Sequence, residues 1–469
     1  MVWIMNAKKE IVLSLISHTN IGKTTLARTL LRRDVGEVRD EAHVTDESTA
    51  YTMLETPNEA LILWDTPGFG NVAALLKRLK AQGGAWGWLM HEVVDRVFNR
   101  SLYSSLEATK NVKNRAEVVL YLVNVRERPG DAGYIQGEMT LLEALGKPVI
   151  MILNQVDSQE LASPKERTAL ERRWKTHFQS FKCLKEVLVL DAFIRTWQQE
   201  LRLIQALEPL VSDASKKALA NLAHFHANHQ AKIFKNCATL AADLLWQAKN
   251  QQIDPDSSQN PRALFEALVA DLQNRLDAYL DALMKIHQIE ADGRAKFKTD
   301  LQQVTGQKAS RLDEKKSGFL AGAIGSAGSG LMADVLSGGL TFGGGAILGF
   351  LGGYFGGLSY AKMMNLRTRG RMTWRQDTLI ELFQLLIIYF LVAAHHGRGK
   401  GKLHLEEPLQ FIVQAADQSW EPYSDALKSL LKRAADDSES TAFRSEASLI
   451  FQNAVNDILA KLYPEDPDR

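Results

Sequence analysis

Short apolar runs alternate with polar and helical stretches through the first two hundred residues, whereas the rest of the chain carries helical spacing almost throughout. The runs at 10–17, 49–56, 60–65, 116–124, 147–154 and 185–191 are rich in Val, Ile and Leu, as strands buried on both faces must be. With the helical stretches between them they predict a mostly parallel six-stranded sheet with helices on both faces. A long helical stretch at 72–112, interrupted at Gly83-Gly84, separates the third run from the fourth. Beyond it, Leu264, Leu268, Leu272, Leu276, Leu280 and Leu283 recur at three- and four-residue steps, the stripe of a long amphipathic helix.

Composition changes this picture at one place. Residues 318–357 hold 15 of the chain's 32 glycines and a single formal charge, Asp334. A second apolar stretch, 379–394, follows a basic segment containing Arg367, Arg369, Arg371 and Arg375. The expected organisation is therefore an α/β domain at 1–200, a helical stalk at 201–317, a glycine-rich apolar hairpin at 318–400 and C-terminal helices at 401–469. Small residues at four-residue steps suit close helix pairs in a membrane, yet glycine weakens a helix. A tightly packed hairpin without lipid, reversible membrane insertion and full spanning all remain open for 318–357. For 379–394, Glu381 and Gln384 favour a buried core over a span.

The chain is nearly neutral, with 56 basic and 55 acidic residues, which argues against dedicated nucleic-acid binding. Cys183 and Cys237 form no framework and no metal-ligand spacing; they fit core positions in a reducing compartment, and a cytoplasmic location, peripheral to the inner membrane, is expected. His224, His226 and His229 stand at steps that do not bring three imidazoles to one helix face; a solvated face is expected.

Chemistry concentrates at strand ends. The first run leads through Ser17-His18-Thr19-Asn20-Ile21-Gly22-Lys23-Thr24 into a helix opening at Thr25. This is a nucleotide phosphate loop with serine at its first position: backbone amides wrap an anion, Lys23 meets the outer phosphates and the Thr24 hydroxyl holds Mg2+. The third run ends in Asp65-Thr66-Pro67-Gly68, where Asp65 is placed to hold Mg2+ through water and the Gly68 amide to reach a γ-phosphate. Between them, Thr45 is the preferred residue to close over Mg2+, with Thr49 its rival. The fifth run ends in Asn154-Gln155-Val156-Asp157, and the Asp157 carboxylate suits one edge of guanine, which adenine cannot match. The Ala192 amide, after the sixth run, is placed for the guanine oxygen.

In that order these motifs resemble the Era-like, translation-factor-class GTPases, over residues 10–192. The whole chain is similar to bacterial proteins that join such a P-loop GTPase domain to a C-terminal domain of unknown function. The resemblance implies a Ras-like sheet with one antiparallel edge pair, GTP and GDP as ligands, Mg2+, and slow hydrolysis. It also implies potassium stimulation through Asn20, with a braced loop as the alternative role for that residue. Ser17 departs from the family's glycine, Gln155 from its lysine and Asp191 from its serine. Phe69 stands where Ras carries its water-orienting glutamine. The expected function is a GTP-hydrolysing switch whose helical half acts on a partner or membrane, with a nucleotide-dependent homodimer among the expected states. The alternatives are a non-hydrolysing guanine-nucleotide scaffold and a dynamin-like membrane-remodelling GTPase.

Overall fold

The computed structural model describes residues 8–18, 21–32, 48–81, 100–130, 133–155, 164–190, 197–252, 261–289, 364–366, 372–396, 410–433 and 440–463. Two compact units emerge, residues 1–230 with 396–402, and residues 231–395 with 403–469.

The first unit is built on β1 (Lys9–Ser17), β2 (Thr49–Glu55), β3 (Glu59–Asp65), β4 (Val118–Asn124), β5 (Val149–Asn154) and β6 (Leu184–Val189). Their order in the sheet is β2-β3-β1-β4-β5-β6. β2 runs antiparallel to β3 and every other pairing is parallel, the expected P-loop GTPase arrangement with one antiparallel edge pair. Each strand lies within two residues of its apolar run. The helices are α1 (Lys23–Leu31), α2 (Val72–Ala81), α3 (Arg100–Asn114), α4 (Gly133–Leu145), α5 (Pro164–His177) and α6 (Trp197–Leu207), with α7 (Asp213–Asn250) beginning in this unit.

On one sheet face Ile11, Leu13 and Leu15 of β1 share a core with Leu26 and Leu30 of α1, Leu203 and Leu207 of α6, and Leu219 and Leu222 of α7. The other face meets α3 and α4: Ser14 donates to Asn111 at 2.5 Å and Tyr121 to Glu138 at 2.6 Å. Side chains that alternate between the two sheet faces need this double cover, and the parallel pairing aligns the strands' carboxyl ends along one edge.

The second unit takes the remainder of α7, then α8 (Pro261–Ile286), a hairpin of β7 (Met364–Leu366) and β8 (Met372–Trp374), α9 (Gln376–Ala394), α10 (Gln410–Arg433) and α11 (Ser440–Leu462). Among the described residues α9 alone is long and apolar enough to cross a membrane, with mean hydropathy 1.9, and 89% of that window is buried within the protein. Its neighbours explain the burial: Phe390 packs against Phe234 and Phe451, Tyr279 donates to the Leu386 carbonyl at 3.0 Å, and Gln384 donates to Asp417 at 3.1 Å. Both cysteines are free and buried, and desolvation pushes the Cys237 thiol up to about 12, an inert state. The glycine-rich stretch 318–357 and the arginines at 367, 369 and 371 lie outside the described residues.

One expectation is corrected here. His226 is buried, with Nε2 3.4 Å from Glu200, because α7 turns that face onto α6; only His224 and His229 are on the solvated side.

Candidate functional site

Where β1 ends and α1 begins, the backbone turns through Gly22, whose φ of 91° favours glycine. A Cβ there would stand 3.3 Å from Asn154 Nδ2, a tight approach that Asn154 would have to yield to by a few tenths of an ångström. Asn154, at the end of β5, donates to the Ile21 carbonyl at 3.1 Å and so anchors the phosphate loop to a distant strand end.

Lys23 follows and is buried. Burial pulls its pKa down, opposed by the negative charges of Asp65 and then Glu138. Its ammonium donates to Ser17 Oγ at 3.2 Å. That contact gives the departure at position 17 a physical role. Ser17 closes β1 and is absent from the residues with positive φ, so a side chain costs no backbone strain there, and its hydroxyl holds the lysine.

Thr24 Oγ1 donates to Asp65 Oδ2 at 2.8 Å. Asp65 is buried, and burial raises its pKa against the pull of Lys23, Thr24 and Arg28. Its other oxygen, Oδ1, is buried and has no hydrogen-bond partner among the described residues. An orphaned carboxylate oxygen beside a hydroxyl is a donor set that suits a hard cation such as Mg2+. Thr25 is buried in the first turn of α1 and Gly68 is buried beyond Asp65. Thr66 Oγ1 donates to the Leu15 carbonyl at 2.7 Å, and the amides of Gly70 and Asn71 both donate to Ser105 Oγ at 2.9 Å. The segment leaving β3 is thereby tied to β1 at one end and to α3 at the other.

Gln155 adopts φ 58°, rare for a residue with a side chain, and accepts from Asn124 Nδ2 at 2.9 Å. Ile21, Gly22, Lys23, Thr24, Thr25, Asp65, Gly68, Asn154 and Gln155 thus share the carboxyl edge of the sheet. Asn20, Thr45, Asp157, Asp191 and Ala192 lie outside the described residues.

A second group at this edge escaped the sequence reading. His18 Nδ1 lies 2.7 Å from Glu138 Oε1, and the other oxygen of Glu138 accepts from Tyr121. Tyr134 stacks on the His18 ring at 4.2 Å. The available signal was Glu138 itself, a carboxylate on the apolar stripe of Ile135, Met139 and Leu142.

Residues 12–155 match the family described as 50S ribosome-binding GTPase. Residues 180–456, more than half of the chain, match the domain of unknown function DUF3482. The chain belongs to the DUF3482 family. In this DUF3482 protein the N-terminal part is a GTPase domain of the P-loop class, and the C-terminal part is mainly helical. Similar solved structures include Aquifex aeolicus Era bound to GDP.AlF4-, at 17% identity and TM-score 0.31, covering 44% of this chain and 58% of that one. Another is Era in complex with MgGDPNP and nucleotides 1506–1542 of 16S ribosomal RNA, at 18% identity and TM-score 0.31, with coverage of 44% and 58%. The chain thus spans little more than half the length of these Era structures. No curated protein matches it.

Proposed function

We propose that this DUF3482 protein is a magnesium-dependent switch that hydrolyses GTP to GDP and phosphate, slowly unless a partner assists. The observation that carries the reading is the corner formed by buried Lys23, the Thr24–Asp65 hydrogen bond of 2.8 Å and the unpartnered Asp65 Oδ1. Thr24 and Asp65, with Thr45 from the intervening loop, would hold Mg2+, which when bound offsets charge on the phosphate oxygens. Lys23 and the loop amides would grip the β- and γ-phosphates, and Asp157 would select guanine over adenine. Potassium, held by Asn20, would add a second positive charge near the transferring group.

Slow intrinsic turnover follows from Phe69. It is fully buried, and its amide donates to the Ser17 carbonyl at 2.8 Å, so no polar group at that position orients water. The same fact favours the second reading, a guanine-nucleotide scaffold that does not hydrolyse. The helical half would then act on a partner or a membrane through 318–400, in the cytoplasm at the inner membrane, with pairing of two copies under nucleotide control.

Titration of the full chain with fluorescent GDP and GTP, with Lys23→Ala as control, tests the site. Binding of guanine but not adenine nucleotides, lost in the variant, is expected. Single-turnover hydrolysis then separates switch from scaffold, and equal rates in sodium and potassium at matched ionic strength would remove the potassium role. Liposome flotation of the wild type against a 318–357 deletion tests membrane contact.

A further inference from the structure

We propose that Glu138 is a positioning residue for the phosphate loop, acting through His18 to set the loop before a guanine nucleotide arrives. This rests on the guanine-nucleotide reading above. Glu138 is 1% exposed, and a carboxylate so placed is costly unless its oxygens are bonded. Both are. One accepts from Tyr121, whose hydroxyl is kept protonated by burial and by the neighbouring carboxylate. The other meets His18 at 2.7 Å. Burial raises the Glu138 pKa, opposed by its hydrogen bonds to His18 and Tyr121 and by the charge of Lys23; in its ionised form Glu138 accepts from both, which puts the hydrogen of His18 on Nδ1.

The partner chosen by this buried charge is a phosphate-loop residue, and its ring is held on a second side. Tyr134 stacks on it with 30° between the planes, while the Tyr134 hydroxyl donates to Glu127 at 2.5 Å. With the ring gripped at edge and face, the backbone of His18 is held too. That backbone pairs as a parallel bridge with Phe69, the residue after Gly68. One clamp on α4 therefore holds both the entry to the phosphate loop and the start of the segment that would meet the γ-phosphate.

A double-mutant cycle on the full chain tests the clamp, using fluorescent GDP with Mg2+ and thermal unfolding of each nucleotide-free variant. His18→Ala and Glu138→Gln are each expected to weaken GDP about tenfold, as loss of an orienting partner does at comparable sites. In the His18→Ala background, Glu138→Gln should change affinity by less than about twofold, because its effect passes through the ring. In 15N spectra of the wild type, His18 should carry its hydrogen on Nδ1, and a tautomer with the hydrogen on Nε2 alone would overturn the proposal. Additive losses, or full GDP affinity in Glu138→Gln, would overturn the proposal while leaving the nucleotide reading intact. Failure of the wild type to bind guanine nucleotides overturns both. Should Glu138→Gln not fold, Tyr134→Leu uncovers the ring face and leaves the buried charge paired; a loss of about threefold is expected, and unchanged affinity overturns the clamp.

Discussion

In the α/β unit the buried side chains of Lys23, Asp65 and Asn154 gather along the carboxyl edge of the sheet, and Asp65 Oδ1 has no hydrogen-bond partner among the described residues. In the helical unit several buried polar side chains are paired with one another within the packing. Gln251 donates to Asp271 at 2.7 Å and accepts from Trp374 at 2.6 Å; His395 lies 2.9 Å from the Tyr463 hydroxyl. Each of these satisfies a helix contact. The difference separates two reasons for burying a polar group. Paired groups inside a bundle select one packing, whereas an unpaired oxygen next to a buried ammonium and a φ of 91° is a site built for something absent from the chain itself.

That comparison can be broken most forcefully in the helical unit. Phe451, fully buried against Phe383 and Phe390, should cost about 3–5 kcal/mol when changed to Ala, read by chemical denaturation. GDP affinity should stay unchanged, and a matching loss of affinity would show that the two units do not divide their labour in this way. Asp65→Asn works in the opposite sense. It removes a buried charge whose ionised form burial disfavours, so the nucleotide-free protein should be as stable as the wild type or more so. Affinity for Mg2+-GTP, measured by calorimetry, should fall about a hundredfold.

Gly22→Ala is a smaller change. The left-handed backbone and the 3.3 Å approach to Asn154 predict a loss of about 1–2 kcal/mol in stability and weaker GDP binding. A variant that kept both would mean the turn is looser than its geometry. The smallest effect belongs to Glu143, which accepts from the amides of Lys182 at 3.2 Å and Cys183 at 2.6 Å. Desolvation pushes its carboxyl up, but those hydrogen bonds outweigh it and leave the pKa below 4.5. A lowered native pKa means stability that is present above 4.5 and lost as pH falls through the native value. Glu143→Gln should therefore be slightly less stable at neutral pH, with the gap closing in acid melts.

Much of the first unit was legible because its central strands, β4 and β5 above all, are buried on both faces, which forces unbroken apolar runs. Lys23, Asp65 and Asn154 were legible for a related reason: strand ends in a parallel sheet meet at one edge, so residues 42 and 131 positions from Lys23 in sequence fall beside the same loop. The second unit was legible only as helix, since apolar spacing reports a buried face and not its neighbour. Glu138 shows the same limit from the other side. Its place on an apolar stripe was visible, but its partner was not.

The strands' positions along the chain, the site's edge and the residue types that meet a phosphate were determined by the sequence alone, because backbone periodicity and loop chemistry are local. Tertiary structure decided what local pattern cannot carry: that Ser17 holds Lys23, that His226 turns inward, and that a carboxylate 120 residues from His18 grips its ring. Those contacts depend on which helix covers which strand, and that is settled only when the whole core packs at once.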